Sequence, residues 1–249
     1  MNCPHCNKEV SPEWKLCPFC GFAPKKCSNP ECQPRWLPQE AKFCPECGKP
    51  LEGTSILPIT KVKEENRSVS IGDILCTDNT TVPSSAWPVV GKTAMGVVFY
   101  VDDTGEHGWA VHLKDQGDYL WSSRGEESEV YGLRKCNSLV AALADEDGYA
   151  NTKGIRAEGY AFEYPAAYAV DFGQGWYLPA LGQLKVLFNR RNAINTILEL
   201  VDGMSLGAGW YWSSTQRDKH YAWYVFYPGG VNNGLKTGTI GRVRSVRAF

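Results

Sequence analysis

The sequence predicts an α+β domain preceded by a short cysteine-rich module, and three observations carry that expectation. Eight of the ten cysteines fall within the first 47 of 249 residues. Residues 51–69, LEGTSILPITKVKEENRSV, mix Pro, Gly and alternating charges without a sustained period and read as a tether. Beyond them, hydrophobic periodicity runs from strand-like to helical and back, the order of an α+β domain rather than of repeated βαβ units. The expected division is 1–50 for the module, 51–69 for the linker and 70–249 for the domain.

In the module, Cys3 and Cys6 form one CxxC, and Cys17 and Cys20, in CPFCG, form a second. A second set follows: Cys27 and Cys32 in CSNPEC, then Cys44 and Cys47 in CPECG. Each tight CxxC turn aims two thiolates at one point, and two such turns complete a tetrahedral site, so the set predicts two Zn2+ per chain. Four residues separate Cys27 from Cys32, which makes that knuckle looser. So few aliphatic residues in so short a segment bury too little surface to fold alone, and the metal takes the place of a core. Paired thiols at this spacing also favour a reducing compartment over a disulfide framework. With Gly21 and Gly48 after the last cysteine of each set, residues 1 to about 50 resemble the double zinc-ribbon family. His5 lies inside the first CxxC and reads as a solvated spacer.

Zinc ribbons often bind nucleic acid, but this module carries seven Lys or Arg against five Glu, scattered along it. Eight thiolates and two zinc ions would leave it slightly negative, a poor phosphate-binding surface. A protein partner or self-association is the expected role. For the whole chain, Lys plus Arg is 26 and Asp plus Glu is 27, so no global field draws nucleic acid or a membrane. The amino terminus, MNCPHCNKEV, has no apolar signal-peptide core and no apolar run suits a bilayer, which predicts a cytoplasmic protein, a phage particle being compatible.

From Ser70 the texture becomes strand-like with SIGDILC. In GKTAMGVVFYVDDTGEHGWAVHLKD, two β-branched and aromatic runs flank the turn-forming DDTGEHG and predict a hairpin. Residues 138–146 predict a short helix, and NTKGIRAEGYAFEYPAAYAVDF another, with Pro165 near its first turn. PALGQLKVLFNRRNAINTILELVDG is the clearest helical stretch: Leu184, Leu187 and Phe188 share one face, which Ile194, Ile197, Leu198 and Val201 repeat. A break is expected between Asn189 and Asn192. After Gly203 short strands return as WYWSS, YAWYVFY and RVRSVRAF, separated by Gly- and Asn-rich turns. The last strands are expected among the central ones of the sheet.

GWYLPALGQL, WYWSST, AWYV and the terminal RVRSVRAF occur in the order seen in a bacterial family of C-type-lectin-like domains, which residues 70–249 resemble. They also resemble the variable proteins of diversity-generating retroelements, whose lectin-like carboxy termini are rewritten by adenine-directed mutagenesis. The resemblance implies a ligand-binding function, without catalysis, for a variable region at about 217–241. An Asn codon altered only at its adenines never encodes Lys, Glu, Gln, Met or Trp, which implies that Lys219, Trp223 and Lys236 are fixed scaffold. The implied ligand-binding residues are Arg217, Asp218, His220, Tyr221, Tyr224, Tyr227, Pro228, Asn232, Asn233, Leu235, Thr237, Thr239 and Ile240, with Gly234, Gly238 and Gly241 also open to variation. Trp210, Trp212 and Trp223 are expected in the core, and Tyr221, Tyr224 and Tyr227 on the outer face, where Tyr gives a large contact at low entropic cost. The partner would be a protein or a cell-surface ligand.

Two other classes stand beside this one. The fold type also hosts formylglycine-generating oxidases, which use a cysteine pair; outside the module only Cys76 and Cys136 remain, in unrelated motifs, and read as buried thiols. His107, His112 and His220 are isolated, and Asp145, Glu146 and Asp147 read as a helix end. A zinc-ribbon adaptor of fixed specificity, for nucleic acid or protein, draws on Arg242, Arg244 and Arg247. Arg242 and Arg244 share one strand face opposite Val243 and suit either a rim or pairing with the acidic body of the domain.

Overall fold

The computed structural model describes residues 2, 3, 6–11, 17, 19, 37, 68–125 and 128–249, and the chain divides into two compact units, Met1–Arg67 and Ser68–Phe249. Cys20, Cys27, Cys32, Cys44 and Cys47, and the tether up to residue 67, lie outside the described residues. No helix among the described residues is long and apolar enough to cross a membrane.

In the first unit the chain doubles back on itself. Asn2 bridges Glu9, the Cys3 amide donates to the Lys8 carbonyl at 2.8 Å, and the Asn7 amide donates to the Cys3 carbonyl at 2.9 Å. Asn7 sits at φ 57°, the left-handed region that Asn tolerates better than most residues, and this closes the turn after Cys6.

The second unit is mixed α+β. Its strands are β1 (Ile74–Cys76), β2 (Thr81–Val82), β3 (Ala94–Val101), β4 (Gly108–His112), β5 (Gly117–Leu120), β6 (Trp210–Gln216), β7 (Tyr221–Phe226), β8 (Gly230–Leu235), β9 (Ile240–Val243) and β10 (Val246–Ala248). Its helices are α1 (Leu139–Leu143), α2 (Gly148–Glu158), α3 (Pro165–Tyr168), α4 (Leu181–Asn189) and α5 (Arg191–Leu200). One sheet runs β10-β4-β3-β1-β2 and the other β5-β9-β6-β7-β8. Thus β6 and β9 are interior strands, whereas β10 lies at a sheet edge, beside β4, with Val246 also bridging Tyr177.

The hairpin forms over DDTGEHG: β3 pairs antiparallel with β4, and Asp102 Oδ1 accepts from the amides of Thr104 and Gly105. Helix α4 packs on β3, β6 and β7, so its apolar face is covered by both sheets. Leu184, Leu187 and Phe188 meet Ile74, Val97, Phe99 and Val111 of one sheet and Tyr211, Trp223 and Val225 of the other. A second core, with Trp121, Tyr164, Leu178 and Ile155, covers the opposite face of the carboxy-terminal sheet at Trp212, Ala222 and Val243.

The break in the long helical stretch falls at Arg190, between α4 and α5. The helix expected around Pro165 is only the four-residue α3; the longer α2 precedes it, and its buried side is Gly148, Thr152 and Ile155, too small and polar for the apolar signal to reveal. Gln183 holds this corner together: its Oε1 accepts from the Ala180 and Gly148 amides, and its Nε2 donates to the Tyr177 hydroxyl. Gly148 is required there, since a Cβ would lie 2.5 Å from the Ala180 nitrogen. Asp145 and Asp147 also serve the fold. Asp147 caps α2 at the Ala150 amide, and Asp145 Oδ2 accepts from Thr215 Oγ1 at 2.6 Å and Asn151 Nδ2 at 2.8 Å.

Candidate functional site

The ligand atoms of Cys3, Cys6 and Cys17 all lie within 4.8 Å of one another, and the Cys6 and Cys17 sulfurs are 3.6 Å apart. Two thiolates on one zinc, with Zn–S near 2.3 Å in a tetrahedron, sit about 3.8 Å apart, whereas a disulfide needs about 2.05 Å. The three thiols therefore fit a metal ion and not a disulfide. The Cys3–Asn7 turn sets the first pair, and Val10 packs against Cys3 and Cys17 beneath it.

At the other end of the chain, side chains of β7 alternate between faces. Trp223 and Val225 turn inward, with Tyr211 of β6 opposite Val225, into the core with α4. Ala222, Tyr224 and Phe226 take the other face. Tyr221 and Tyr224 are three residues apart, so they do not share the outer face expected of them. Tyr224 is half-buried, its ring 5.8 Å from Trp210 and 5.7 Å, edge-on, from Trp212. Trp212 and Trp223 are core, but Trp210 is not: it stands 50 % exposed at the start of β6, opposite Phe226. A Cβ at Gly230 would overlap the Phe226 ring, so glycine there lets the ring lie across β8.

The thirteen residues assigned to binding fall into separate groups. Arg217 Nη1 donates to Asn233 Oδ1 at 2.9 Å and its guanidinium lies 5.5 Å from the Tyr221 ring. Asp218 Oδ1 accepts from the amides of His220 and Tyr221, which closes the β6–β7 turn. Tyr227 and Pro228 are held from the helical side: the Arg191 guanidinium lies 5.0 Å from the Tyr227 ring and donates to the Pro228 carbonyl. Asn232 is exposed opposite Tyr224. Leu235, Thr237 and Ile240 are exposed around the β8–β9 turn, and Thr239 is half-buried there. Gly234 and Gly241 do not fit the variation expected of them. A Cβ at Gly234 would come 2.9 Å from Thr239 Oγ1, and one at Gly241 would come 3.0 Å from the Trp212 ring.

Residues 2–23 match a family model for a zinc-ribbon domain. The amino terminus thus carries a zinc-ribbon domain. The second set of cysteines lies beyond the match, and the ribbon's fourth expected ligand, Cys20, is within it but not among the described residues. A search of curated proteins finds no match to the chain. Among solved structures, a fimbrial protein from Bacteroides ovatus ATCC 8483 is similar in fold, with a TM-score of 0.57 at 19 % identity. The match covers 73 % of this chain and 49 % of that one, so the chain spans about half of that protein's length.

Beside the candidate surface lie buried groups that local sequence patterns do not reveal. Lys236, read as scaffold, is fully buried; its Nζ donates to the Ser128 carbonyl at 2.7 Å and to Gln216 Oε1 at 3.0 Å, and lies 4.4 Å from the centre of the Trp121 ring. Burial pulls its pKa down to about 7. Arg244 is also fully buried, and its Nη1 donates to Asp115 Oδ1 at 2.7 Å. Arg242, on the same side of Val243, reaches Asp115 Oδ2 at 3.4 Å. Both arginines thus pair with the acidic body. Cys76 and Cys136 are buried, and burial raises both thiol pKa values.

Proposed function

We propose that the chain is a non-catalytic binding protein: residues 70–249 form a C-type-lectin-like scaffold, and residues 217–241 present a diversified ligand-binding surface like that of diversity-generating-retroelement variable proteins. The observation that carries this reading is the contrast within the carboxy-terminal strands. Trp212, Trp223, Val225 and Val243 are buried, while Trp210, Tyr227, Leu235 and Ile240 stand between 45 % and 62 % exposed. Large apolar side chains left exposed along these strands offer contact area to a partner. Of the three residues barred by adenine mutagenesis of Asn codons, Trp223 and Lys236 occupy buried positions, where a scaffold must stay constant, whereas Lys219 is exposed in the β6–β7 turn. The partner is a protein or cell-surface ligand. Raised pKa values and burial at Cys76 and Cys136 speak against the cysteine chemistry of an oxidase.

The ribbons, with two zinc ions on Cys3, Cys6, Cys17 and Cys20 and on Cys27, Cys32, Cys44 and Cys47, serve a protein contact or self-association in the cytoplasm. The likeness to a fimbrial protein supports the alternative of a surface location, and fractionation of the native cell separates the two. DNA sequencing around the gene tests diversification directly: the expected result is a near-copy of codons 217–241, differing only at adenines, beside a reverse-transcriptase gene. Mismatches spread over all four bases, or no copy, would leave a binding domain of fixed specificity and favour the adaptor reading. Elemental analysis of protein purified under reducing conditions should give two zinc per chain; one equivalent would remove the second ribbon site.

A further inference from the structure

Away from the carboxy-terminal surface, a cavity of about 290 Å³ opens between the β1–β2 turn, the ends of β3 and β4, the segment after α3, and β10. Thr77, Asn79, Met95, His112, Asp171, Gln174, Trp176 and Arg247 line it. The volume lies at the lower edge of ligand sites, about 300–1,000 Å³, and suits a ligand of a few heavy atoms.

Its chemistry is specific. Arg247 is positioned by two contacts, Nη2 to Asn79 Oδ1 at 2.8 Å and Nη1 to Met95 Sδ at 3.8 Å. A guanidinium carries five N–H donors in a fork suited to carboxylates, so this one keeps donors to spare. Gly175, at φ 81°, brings the backbone against that side chain, and a Cβ there would lie 3.3 Å from Arg247 Nε. Trp176 is only 4 % exposed, and its indole N–H, which makes no hydrogen bond among the described residues, still reaches solvent. Its ring is held edge-on by His112 at 4.8 Å and sits against Gly96, where a Cβ would meet Cη2 at 2.9 Å. On the same cavity wall, Asp171 uses Oδ1 to receive the Gln174 amide and keeps Oδ2 open among the described residues. Asp171 and Arg247 line one cavity without forming an ion pair. Burial holds the His112 pKa below its usual value, which leaves one cation and one anion as the fixed charges of the cavity at neutral pH.

We infer that this cavity binds a free α-amino acid as its zwitterion, the carboxylate on Arg247 and the Trp176 indole N–H, the ammonium on Asp171. A dipolar ligand uses both charges at once, which a simple anion or cation does not, and a solvent-reaching indole N–H on the same cavity adds a donor for the carboxylate.

The test uses the full chain with zinc bound, titrated with glycine, L-serine and L-glutamine while the indole N–H resonances are followed by two-dimensional NMR. A Trp176→Phe variant assigns the resonance by its loss, and if that variant misfolds, triple-resonance spectra of the isotope-labelled parent assign it instead. The expected result is a saturable shift of the Trp176 signal with at least one amino acid, with acetate and ethylamine each at least tenfold weaker. Arg247→Gln and Asp171→Asn should each weaken the effect at least tenfold while melting temperatures stay near that of the parent. No saturable shift with any of the three, equal binding of acetate, or binding unchanged in both variants would overturn the inference. None of these outcomes bears on the carboxy-terminal surface, whose partner is tested by variants at Trp210 and Ile240.

Discussion

Two cations are buried outright in the larger unit, Lys236 after β8 and Arg244 after β9, and the fold treats them differently. Arg244 is given an anion, Asp115, itself shared with Arg242, and two backbone carbonyls, of Leu113 and Met204. Lys236 is given dipoles: one carbonyl, one side-chain amide and the face of Trp121. Desolvation penalises charge in both places and lowers both pKa values. A guanidinium starts so high that it stays charged regardless, whereas the ammonium is brought to the edge of neutrality. A buried ion pair thus makes one junction depend on a partner residue, and a buried lone lysine makes the other depend on pH.

Removing the anion should have the largest effect. Asp115→Asn leaves Arg244 buried without its counter-charge and is expected to cost about 3–5 kcal/mol in urea unfolding, as for other broken buried pairs. A loss below 1 kcal/mol would show that the carbonyls alone suffice, and the contrast with Lys236 would disappear.

The next effect is a pH dependence. Folded Lys236 releases its proton near pH 7, while the unfolded group keeps it to about 10.5. Between these values the unfolded state holds more protons, so stability rises with pH; below 7 the penalty is present in full, and above 10.5 the curve is level. Asp218 and Glu129 already work against desolvation in that value, and at ~1.4 kcal/mol per unit the gain between pH 7 and 10 is about 4 kcal/mol. Unfolding of the parent and of Lys236→Met, compared at several pH values from 6 to 10, should show that rise in the difference between them. A flat difference would place the folded pKa near its ordinary value. Arg242→Gln should have the smallest effect, within about 1 kcal/mol, because that side chain is 36 % exposed and its pair is screened. A larger loss would mean that Arg242 is coupled to the buried Asp115–Arg244 pair.

Parts of this arrangement were legible in the sequence. The cysteine pairs announce a metal site, since only close spacing in the chain is needed to bring Cys3 and Cys6 together. The hairpin at DDTGEHG and the break at Arg190 follow from local turn and helix chemistry. The alternation of β7 was also there to be read: the spacing of Tyr221 and Tyr224 already places them on opposite faces. Trp210 is exposed because a strand's first residue follows the alternation but can lie beyond the layer that covers its neighbours. Trp212 is roofed by Trp121 and Tyr164, and Trp210 is not.

By itself, then, the sequence determined what depends on neighbours in the chain: the thiol turns, the order of strands and helices, and which residues of a strand share a face. Tertiary structure alone decided which of those faces is covered and which charges meet. Asp115 and Arg244 are 129 residues apart, and Ser128 and Lys236 are 108 apart, so no local period records either contact. The cavity on Trp176 and Arg247 likewise draws on segments from Thr77 to the last strand. Local patterns are set by backbone geometry over a few residues, whereas burial and pairing are set by which surfaces the whole chain brings into contact.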